Sequence, residues 1–341
     1  YNSQMFKLTS WTNEIVVNDK SEGITVNDKE VRTAICRHGF GYSIFEYDGK
    51  DYNLETVQFV ARKDAIKFYK NKITNISNSK KRYKISFWIN PTMGPNEEKS
   101  SRYLLSEFNN NVNSILVRNV YSINFSNVYL FMSSTLPIKK YSVDKILFKS
   151  ITIELELDSN ESKEFSFMLG AEVNIDEIKE LTTKYDNLEV NKEYEKIKNY
   201  WKDVLGRVKI KTPDDSFNIM MNGWYLYQTI SSRLFAKAGF YQVGGAYGFR
   251  DQLQDATNIC EISPEITKRQ ILNNANHQFR EGDVLHWWHE INRFGLRSRY
   301  KDDYLWLVYA TNRYIKVTGD IKILDEIVSF VNGDSLKPNE E

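Results

Sequence analysis

Residues 151–200 read ITIELELDSNESKEFSFMLGAEVNIDEIKELTTKYDNLEVNKEYEKIKNY, and the period of the apolar positions changes inside this stretch. Ile151, Ile153, Leu155 and Leu157 alternate with Thr152, Glu154 and Glu156, the two-residue repeat of a strand with one buried face. Near Asn174 the composition shifts. Residues 175–200 are rich in Glu, Lys and Leu, carry Asp176 and Glu177 early, and read as a helical connector with a solvated face. A chain that is strand-forming before this point and helical after it has a β-then-α organisation.

Towards the N-terminus the strand signal continues. Tyr83-Lys84-Ile85-Ser86-Phe87-Trp88-Ile89 alternates cleanly, whereas the alternation from Ile66 to Ile76 is loose and its phase slips before Ile73. The polar turn Ser77-Asn78-Ser79-Lys80-Lys81 lies between them, so the pair reads as a β-hairpin. Asn113 to Val120 and Val128 to Met132 are further strands. Strands joined by short polar turns without intervening helices predict an antiparallel β-sandwich over residues 1–173.

Towards the C-terminus, residues 174–211 form the helical linker, and Thr212-Pro213-Asp214-Asp215 opens a helix. Phe217, Met220, Met221, Trp224, Tyr227 and Leu234 follow at helical spacing, an apolar stripe expected to be core. Asp302-Asp303 opens a second helix, Tyr304 to Val317, which stops at Thr318-Gly319-Asp320; Ile321 to Val331 reads as a third. Helix, short loop, helix is the pattern of an αα-hairpin array over residues 212–341, without a sequence repeat of fixed period. The sequence starts without Met in strand-like material and stops at Pro338-Asn339-Glu340-Glu341, so a fragment of a longer protein is expected.

Composition narrows the class. Forty-six Lys and Arg against 45 Asp and Glu leave a net charge of +1, with no chain-wide electrostatic reason to bind nucleic acid or an anionic membrane. No run of about 18 apolar residues is present to span a bilayer. Cys36 and Cys260 have no metal-ligand spacing, and two cysteines in 341 residues are not a disulfide framework. Aromatic residues make up 14%; Tyr and Trp suit carbohydrate as well as protein cores.

Two segments carry candidate chemistry. The first, residues 238–255, reads AGFYQVGGAYGFRDQLQD. Its glycines permit tight backbone paths, but neither GxxxxGK nor GxGxxG after a strand occurs, so it is no phosphate loop. It delivers Arg250, Asp251, Gln254 and Asp255; on a helix, Arg250 and Gln254 share one face and Asp251 and Asp255 another. A guanidinium beside carboxylates and an amide can hydrogen-bond several sugar hydroxyls at once; the alternative is an ordinary helix start with a local Arg–Asp pair. The second, residues 279–303, reads FREGDVLHWWHEINRFGLRSRYKDD. His286 and His289 lack both HExxH and a third ligand, which argues against zinc. Trp287 and Trp288 fit a sugar platform, or one of them caps the core; Arg297, Arg299, Asp302 and Asp303 follow.

GGAYGFRDQLQD and EGDVLHWWHE…GLRSRYKDDYLWL resemble glycoside hydrolase family 94, the inverting β-glucoside phosphorylases. They are most similar to the branch holding β-1,2-oligoglucan phosphorylases, cellodextrin phosphorylases and the phosphorylase-like part of cyclic β-1,2-glucan synthases. SQMFKLTSWTNE, RHGFGYSIFEYDGKDYNLETVQFV and ITNISNSKKRYKISFWI add weaker matches, so the resemblance spans nearly the whole chain. It implies an N-terminal β-sandwich, a helical linker and an (α/α)6 barrel whose loops form the active site, present here only in part. It also implies phosphorolysis of a β-glucosidic bond to α-glucose 1-phosphate: a carboxylic acid protonates the leaving oxygen and phosphate attacks the anomeric carbon from the opposite face.

By the same resemblance, Arg250 and Asp255 bind the transferred glucosyl unit, supported by Asp251 and Gln254. Trp287, Trp288, Arg297 and Asp303 line neighbouring parts of the cleft. The family's general-acid Asp sits in a later GDWND-like motif that does not occur here, so no catalytic residue is assigned in this chain and the fragment alone is expected to be inactive. The expected partners are phosphate as co-substrate and a β-glucan oligosaccharide or disaccharide, with no cofactor, metal, nucleic acid or membrane, in the cytoplasm. Homodimerisation through the sandwich is common in such families. Two alternatives stay open: a hydrolase on the same scaffold, separable by phosphate dependence, and a non-catalytic carbohydrate-binding or assembly module, for which FRDQLQD would be superfluous.

Overall fold

The computed structural model describes residues 22–26, 31–94, 97–122, 126–144, 148–237, 246–290 and 294–337. The chain divides into two compact units, residues 3–201 and residues 202–341.

The first unit is an antiparallel β-sandwich. Its strands are β1 (Glu22–Val26), β2 (Val31–Gly39), β3 (Tyr42–Gly49), β4 (Tyr52–Val60), β5 (Ile66–Asn75) and β6 (Lys81–Ile89). They continue with β7 (Leu104–Asn109), β8 (Ser114–Asn119), β9 (Tyr129–Ser134), β10 (Lys140–Ser142), β11 (Lys149–Leu157) and β12 (Ser162–Glu172). One sheet has the order β1-β6-β11-β10, the other β2-β3-β4-β5-β12-β9-β8-β7.

This topology corrects the expected β5–β6 hairpin. The two strands lie in different sheets: β5 pairs with β4 and β12, and β6 with β1 and β11, placing Ile153 opposite Ile85. Residues 76–80 cross between the layers and are pinned by Asn75. Its buried amide donates to the carbonyls of Ser79 and Leu157 at 2.9 and 3.0 Å, and its Oδ1 accepts from the Ser77 N–H at 3.0 Å. Tyr69 of β5 meets Phe87 of β6 across the interior, ring centroids 4.6 Å apart, and Phe87 stacks on Phe167 at 5.3 Å. A polar turn between two strand patterns does not say whether the strands pair edge to edge or face to face.

The phase slip in β5 has a physical cause. Phe68 and Tyr69 are adjacent, point to opposite faces of the sheet, and are both buried. Tyr69 faces the other sheet; Phe68 packs on Tyr185 at 4.8 Å, while its neighbour Phe59 packs on Tyr194 at 5.3 Å. Tyr185 lies between helices Ile175–Lys184 and Asn187–Gly206, and Tyr194 lies on the latter, so the expected connector covers the outer face of the large sheet as a third layer. A strand covered on both faces has no polar face to alternate with. Asn174, where the composition shifts, caps the first of these helices by accepting the Asp176 N–H at 2.9 Å. Gly41 has φ +83°, and a Cβ there would come within 2.4 Å of the Trp201 indole nitrogen, so only glycine allows that approach.

The second unit is helical. Residues 215–235 form one continuous helix in which α-helical turns alternate with wider π-helical ones, Met220–Trp224 and Thr229–Phe235. Helices Phe249–Thr257, Pro264–Ala275 and Lys301–Thr318 pack with a small antiparallel sheet of β13 (Tyr247–Gly248), β14 (Val284–Trp288) and β15 (Gly295–Ser298). Phe249, Leu253, Ile271, Val284, Trp288, Ala310 and Tyr314 make its core.

Two expectations fail here. Of the stripe along residues 217–234, Leu234 is buried but Phe217 and Met221 are exposed, because periodicity marks the face that seeks apolar neighbours without supplying them. The helix expected from Ile321 to Val331 is a short 3-10 turn, Ile321–Asp325, followed by extended chain. Gly319, at φ +74°, ends the preceding helix in the left-handed conformation; within the turn only Ile323 is buried, and beyond it Ile327 stands in solvent.

Candidate functional site

The first candidate segment becomes the helix Phe249–Thr257, capped by the extended Gly248 at the end of β13. Its Gly239, Tyr241, Gly244 and Gly245 lie outside the described residues. Phe249, Gln252, Leu253 and Ala256 are buried. That orientation turns Arg250 and Gln254 outward and leaves Asp251 and Asp255 half-buried at the flank.

These four side chains differ in how much bonding capacity they retain. Arg250 is 45% exposed and, among the described residues, makes only a 3.9 Å ion contact with Asp251. The Gln254 amide is likewise without a partner among the described residues. Asp255 is committed: it accepts from Arg233 Nε at 2.8 Å. Burial pushes its carboxyl above the ordinary value against the pull of that guanidinium.

Arg233 comes from the π-helical turn Thr229–Phe235; it also reaches within 4.0 Å of Asp251, and its carbonyl accepts from Gln252 at 3.0 Å. Sequence reading missed it. Its only signal is a cation between two apolar positions, Ile230 and Leu234, both of which are buried.

Trp287 and Trp288 of the second segment lie on strand β14, and this separates the two tryptophans. Neighbours on β14 face opposite ways. Trp288 is 2% exposed and lies parallel to Tyr247 at 5.1 Å and to His277 at 4.0 Å, so it belongs to the core and has no face left for a sugar. Trp287 stays half-buried beside His289 and Phe294.

Arg297 is also spent. Its guanidinium binds both Asp283 oxygens at 2.5 and 2.7 Å, Glu281 at 3.0 Å and the Asp334 carbonyl at 2.7 Å, which ties the chain near residue 334 to β15. Asp303, at the start of helix Lys301–Thr318, is 1% exposed and accepts from His286 Nδ1 at 2.8 Å. Burial raises its carboxyl, while the hydrogen bond from His286 and the nearby Arg250 guanidinium draw it back down.

Arg250 lowers the carboxyls of both Asp255 and Asp303, which links the Asp255–Arg233 and Asp303–His286 pairs electrostatically. Trp288 and Arg297 are held by contacts of their own. At the cluster's margin Lys237 (φ +48°) sets its ammonium over the Tyr247 ring at 4.1 Å and 3.5 Å from Glu290, and burial pushes its pKa down. Among the described residues no group of three His, Cys, Asp or Glu side chains suits a metal ion, and no helix is long and apolar enough to cross a membrane. What the cluster offers is open guanidinium and amide donors beside fixed carboxylates, the complement of a polyhydroxyl ligand.

Residues 1–149 match the model described as the glycosyl hydrolase 94 supersandwich domain, and residues 200–337 match that of the glycosyl hydrolase 94 superfamily catalytic domain. The cyclic beta-(1,2)-glucan synthase NdvB of Rhizobium meliloti (strain 1021) is 29% identical over 98% of this chain, which spans 14% of that protein. The N,N'-diacetylchitobiose phosphorylase of Vibrio furnissii is 26% identical over 52% of this chain and 26% of its own length.

Among solved structures, a kojibiose phosphorylase candidate from the human microbiome aligns with TM-score 0.61 and 11% identity over 89% of this chain and 47% of its own. A bacterial glucoamylase bound to acarbose aligns with TM-score 0.55 and 14% identity over 87% and 50%. The sandwich followed by helices is thus the architecture of (α/α)6-barrel enzymes of this kind. One model of a single family covers residues 1–149, most of the sandwich, and another covers the helix carrying Arg250 to Asp255: the chain belongs to the glycosyl hydrolase 94 superfamily.

Proposed function

We propose that the protein containing this chain is an inverting phosphorylase of β-glucosides or β-gluco-oligosaccharides. A phosphate oxygen bonds to the anomeric carbon as the glycosidic C–O bond breaks. The departing oxygen takes a proton from a carboxylic acid, leaving α-glucose 1-phosphate and a sugar shortened by one unit. The observation that carries the reading is the Arg250 guanidinium, exposed and held among the described residues only by a 3.9 Å contact with Asp251, beside the Asp255–Arg233 pair in a chain whose relatives include phosphorylases.

Arg250 and Gln254 donate to hydroxyls of the transferred glucosyl ring; Asp251 and Asp255 accept. These bonds orient the ring as it flattens towards an oxocarbenium ion, and those that tighten there lower the barrier. The acid is assigned to no residue of this sequence: Asp255 and Asp303 are each held by a cationic or imidazole partner. The alignment with NdvB over 98% of the chain, against about half for the disaccharide phosphorylase, favours a β-1,2-linked glucan. A cytoplasmic setting belongs to the same reading, since the sugar phosphate is useful where it can be metabolised, and Cys36 and Cys260 are free thiols.

The test is phosphorolysis by the intact protein. Arg250→Ala and Asp255→Ala are each expected to lower kcat/KM at least about a hundredfold, roughly 2.7 kcal/mol, with circular dichroism unchanged. Normal phosphorolysis by a folded Asp255→Ala variant overturns the assignment, and cleavage that persists without phosphate overturns the reaction class.

A further inference from the structure

We propose that His286 is a sugar-contacting residue whose Nε2 accepts a hydrogen bond from a ring hydroxyl, with Asp303 as the positioning residue behind it. This deepens the glycoside reading above and rests on it for the class of ligand. Four observations carry it.

The first is backbone geometry. Along β14 and β15, Leu285 is opposite Arg297 and Trp287 is opposite Leu296, so two steps on one strand match one on the other. His286 is the extra residue of a β-bulge. A bulge gives up regular pairing and re-aims one side chain.

The second is the pairing of Nδ1 with a carboxylate that is almost wholly buried. An ionised carboxylate only accepts, so Nδ1 carries a proton, and in the neutral form of the ring the lone pair sits on Nε2. The third is availability: the side chain is 39% exposed, and Nε2 has no hydrogen-bond partner among the described residues. The exposed Tyr300 ring lies 4.6 Å from the imidazole, tilted by 32°, and adds an aromatic surface.

The fourth is the neighbour. Arg250 lies close enough to act on Asp303, and a guanidinium can only donate. A donor-only group and an acceptor lone pair that both serve the Asp303 carboxyl's surroundings suit a diol, in which one hydroxyl accepts and another donates. Burying a carboxylate and interrupting a strand both cost stability. A role in ligand contact accounts for both.

The experiment measures binding of sophorose, the β-1,2-linked glucobiose, and of its monodeoxy analogues to the intact protein by calorimetry. Wild type, His286→Ala and His286→Gln are compared. Removing the acceptor is expected to weaken sophorose binding about tenfold. The same variant should show no further loss with the one analogue that lacks the contacted hydroxyl, and Gln, which offers a carbonyl oxygen, should recover part of the affinity.

Nitrogen-15 NMR supplies a second readout: His286 is expected as the Nδ1–H tautomer, inverted in Asp303→Asn where the amide donates to the ring. Unchanged affinity in folded His286→Ala overturns the proposal. So do equal further losses for every analogue, or an Nε2–H tautomer in the wild type. Glucose 1-phosphate release is assayed in parallel. Coupling of His286 to a hydroxyl together with phosphate-independent cleavage refutes phosphorolysis and leaves this contact standing; wild-type phosphorolysis by His286→Ala refutes the contact and leaves phosphorolysis standing.

Discussion

In the sandwich, Phe68 and Tyr69 sit side by side on β5, face opposite ways and are both fully buried. In the helical unit, Leu305 on helix Lys301–Thr318 is 69% exposed; Val308 and Tyr309 beside it, and Phe217, Ile219 and Tyr225 on the helix of residues 215–235, are exposed too. The first unit covers both faces of its large sheet at Phe68 and Tyr69 and buries its central strands. The second builds a small core around Phe249, Leu253 and Trp288 and leaves whole helix faces in solvent. Apolar periodicity states what a face needs; stability comes only where the need is met.

The sharpest way to break that contrast is to truncate one residue of each kind. Phe87→Ala, between Tyr69 and Phe167, is expected to cost about 3–5 kcal/mol in urea unfolding. Leu305→Ala should stay within about 0.5 kcal/mol. Equal costs would mean that the exposed helix faces are packed after all.

A smaller effect tests where the helical unit ends its regular structure. Gly319 at φ +74° closes helix Lys301–Thr318 through its N–H to the Ile315 carbonyl at 2.8 Å. Alanine there, forced into the left-handed region, should lower stability by about 1–2 kcal/mol, read as a drop in Tm. A gain would show that the αL cap is dispensable.

The smallest effect is electrostatic. Hydrogen bonds from Arg297 hold the Asp283 carboxyl below its ordinary value. A depressed folded pKa stabilises above the unfolded value of about 3.9 and loses that contribution as pH falls through the folded value. Acid unfolding below about pH 4 should therefore weaken the tie near residue 334, and Asp283→Asn should remove this part of the pH dependence. An unaltered acid profile in that variant would make the clamp irrelevant to stability.

Several features are legible in the sequence for direct physical reasons. β6 and β11 show clean alternation because each has one face towards the other sheet, and Asn174 marks the helix start because its side chain accepts a backbone N–H. The stop at Gly319 is legible because glycine tolerates φ above zero. Pairing is not legible in this way: the turn after β5 is compatible with a hairpin or with a crossing between sheets. At the site, Arg250 and Asp255 stand out through their spacing, whereas Arg233 reaches Asp255 from a separate helix and no local pattern announces it. Likewise HWWH does not reveal that a bulge lifts His286 out of register while Trp288 turns into the core.

The crossing of residues 76–80 also sets a timetable for synthesis. Lys81 at the start of β6 pairs with Leu157 at the end of β11, and Thr74 near the end of β5 pairs with Ser162 at the start of β12. β6 must wait for residues 149–157 and β5 for residues 162–170 to emerge from the ribosome, and at about 5–20 residues per second that is a wait of several seconds. During that interval the nascent chain carries β5 and β6 with open edges, the state most prone to pairing with another chain. A sandwich whose sequence neighbours belong to opposite layers is therefore assembled late and all at once.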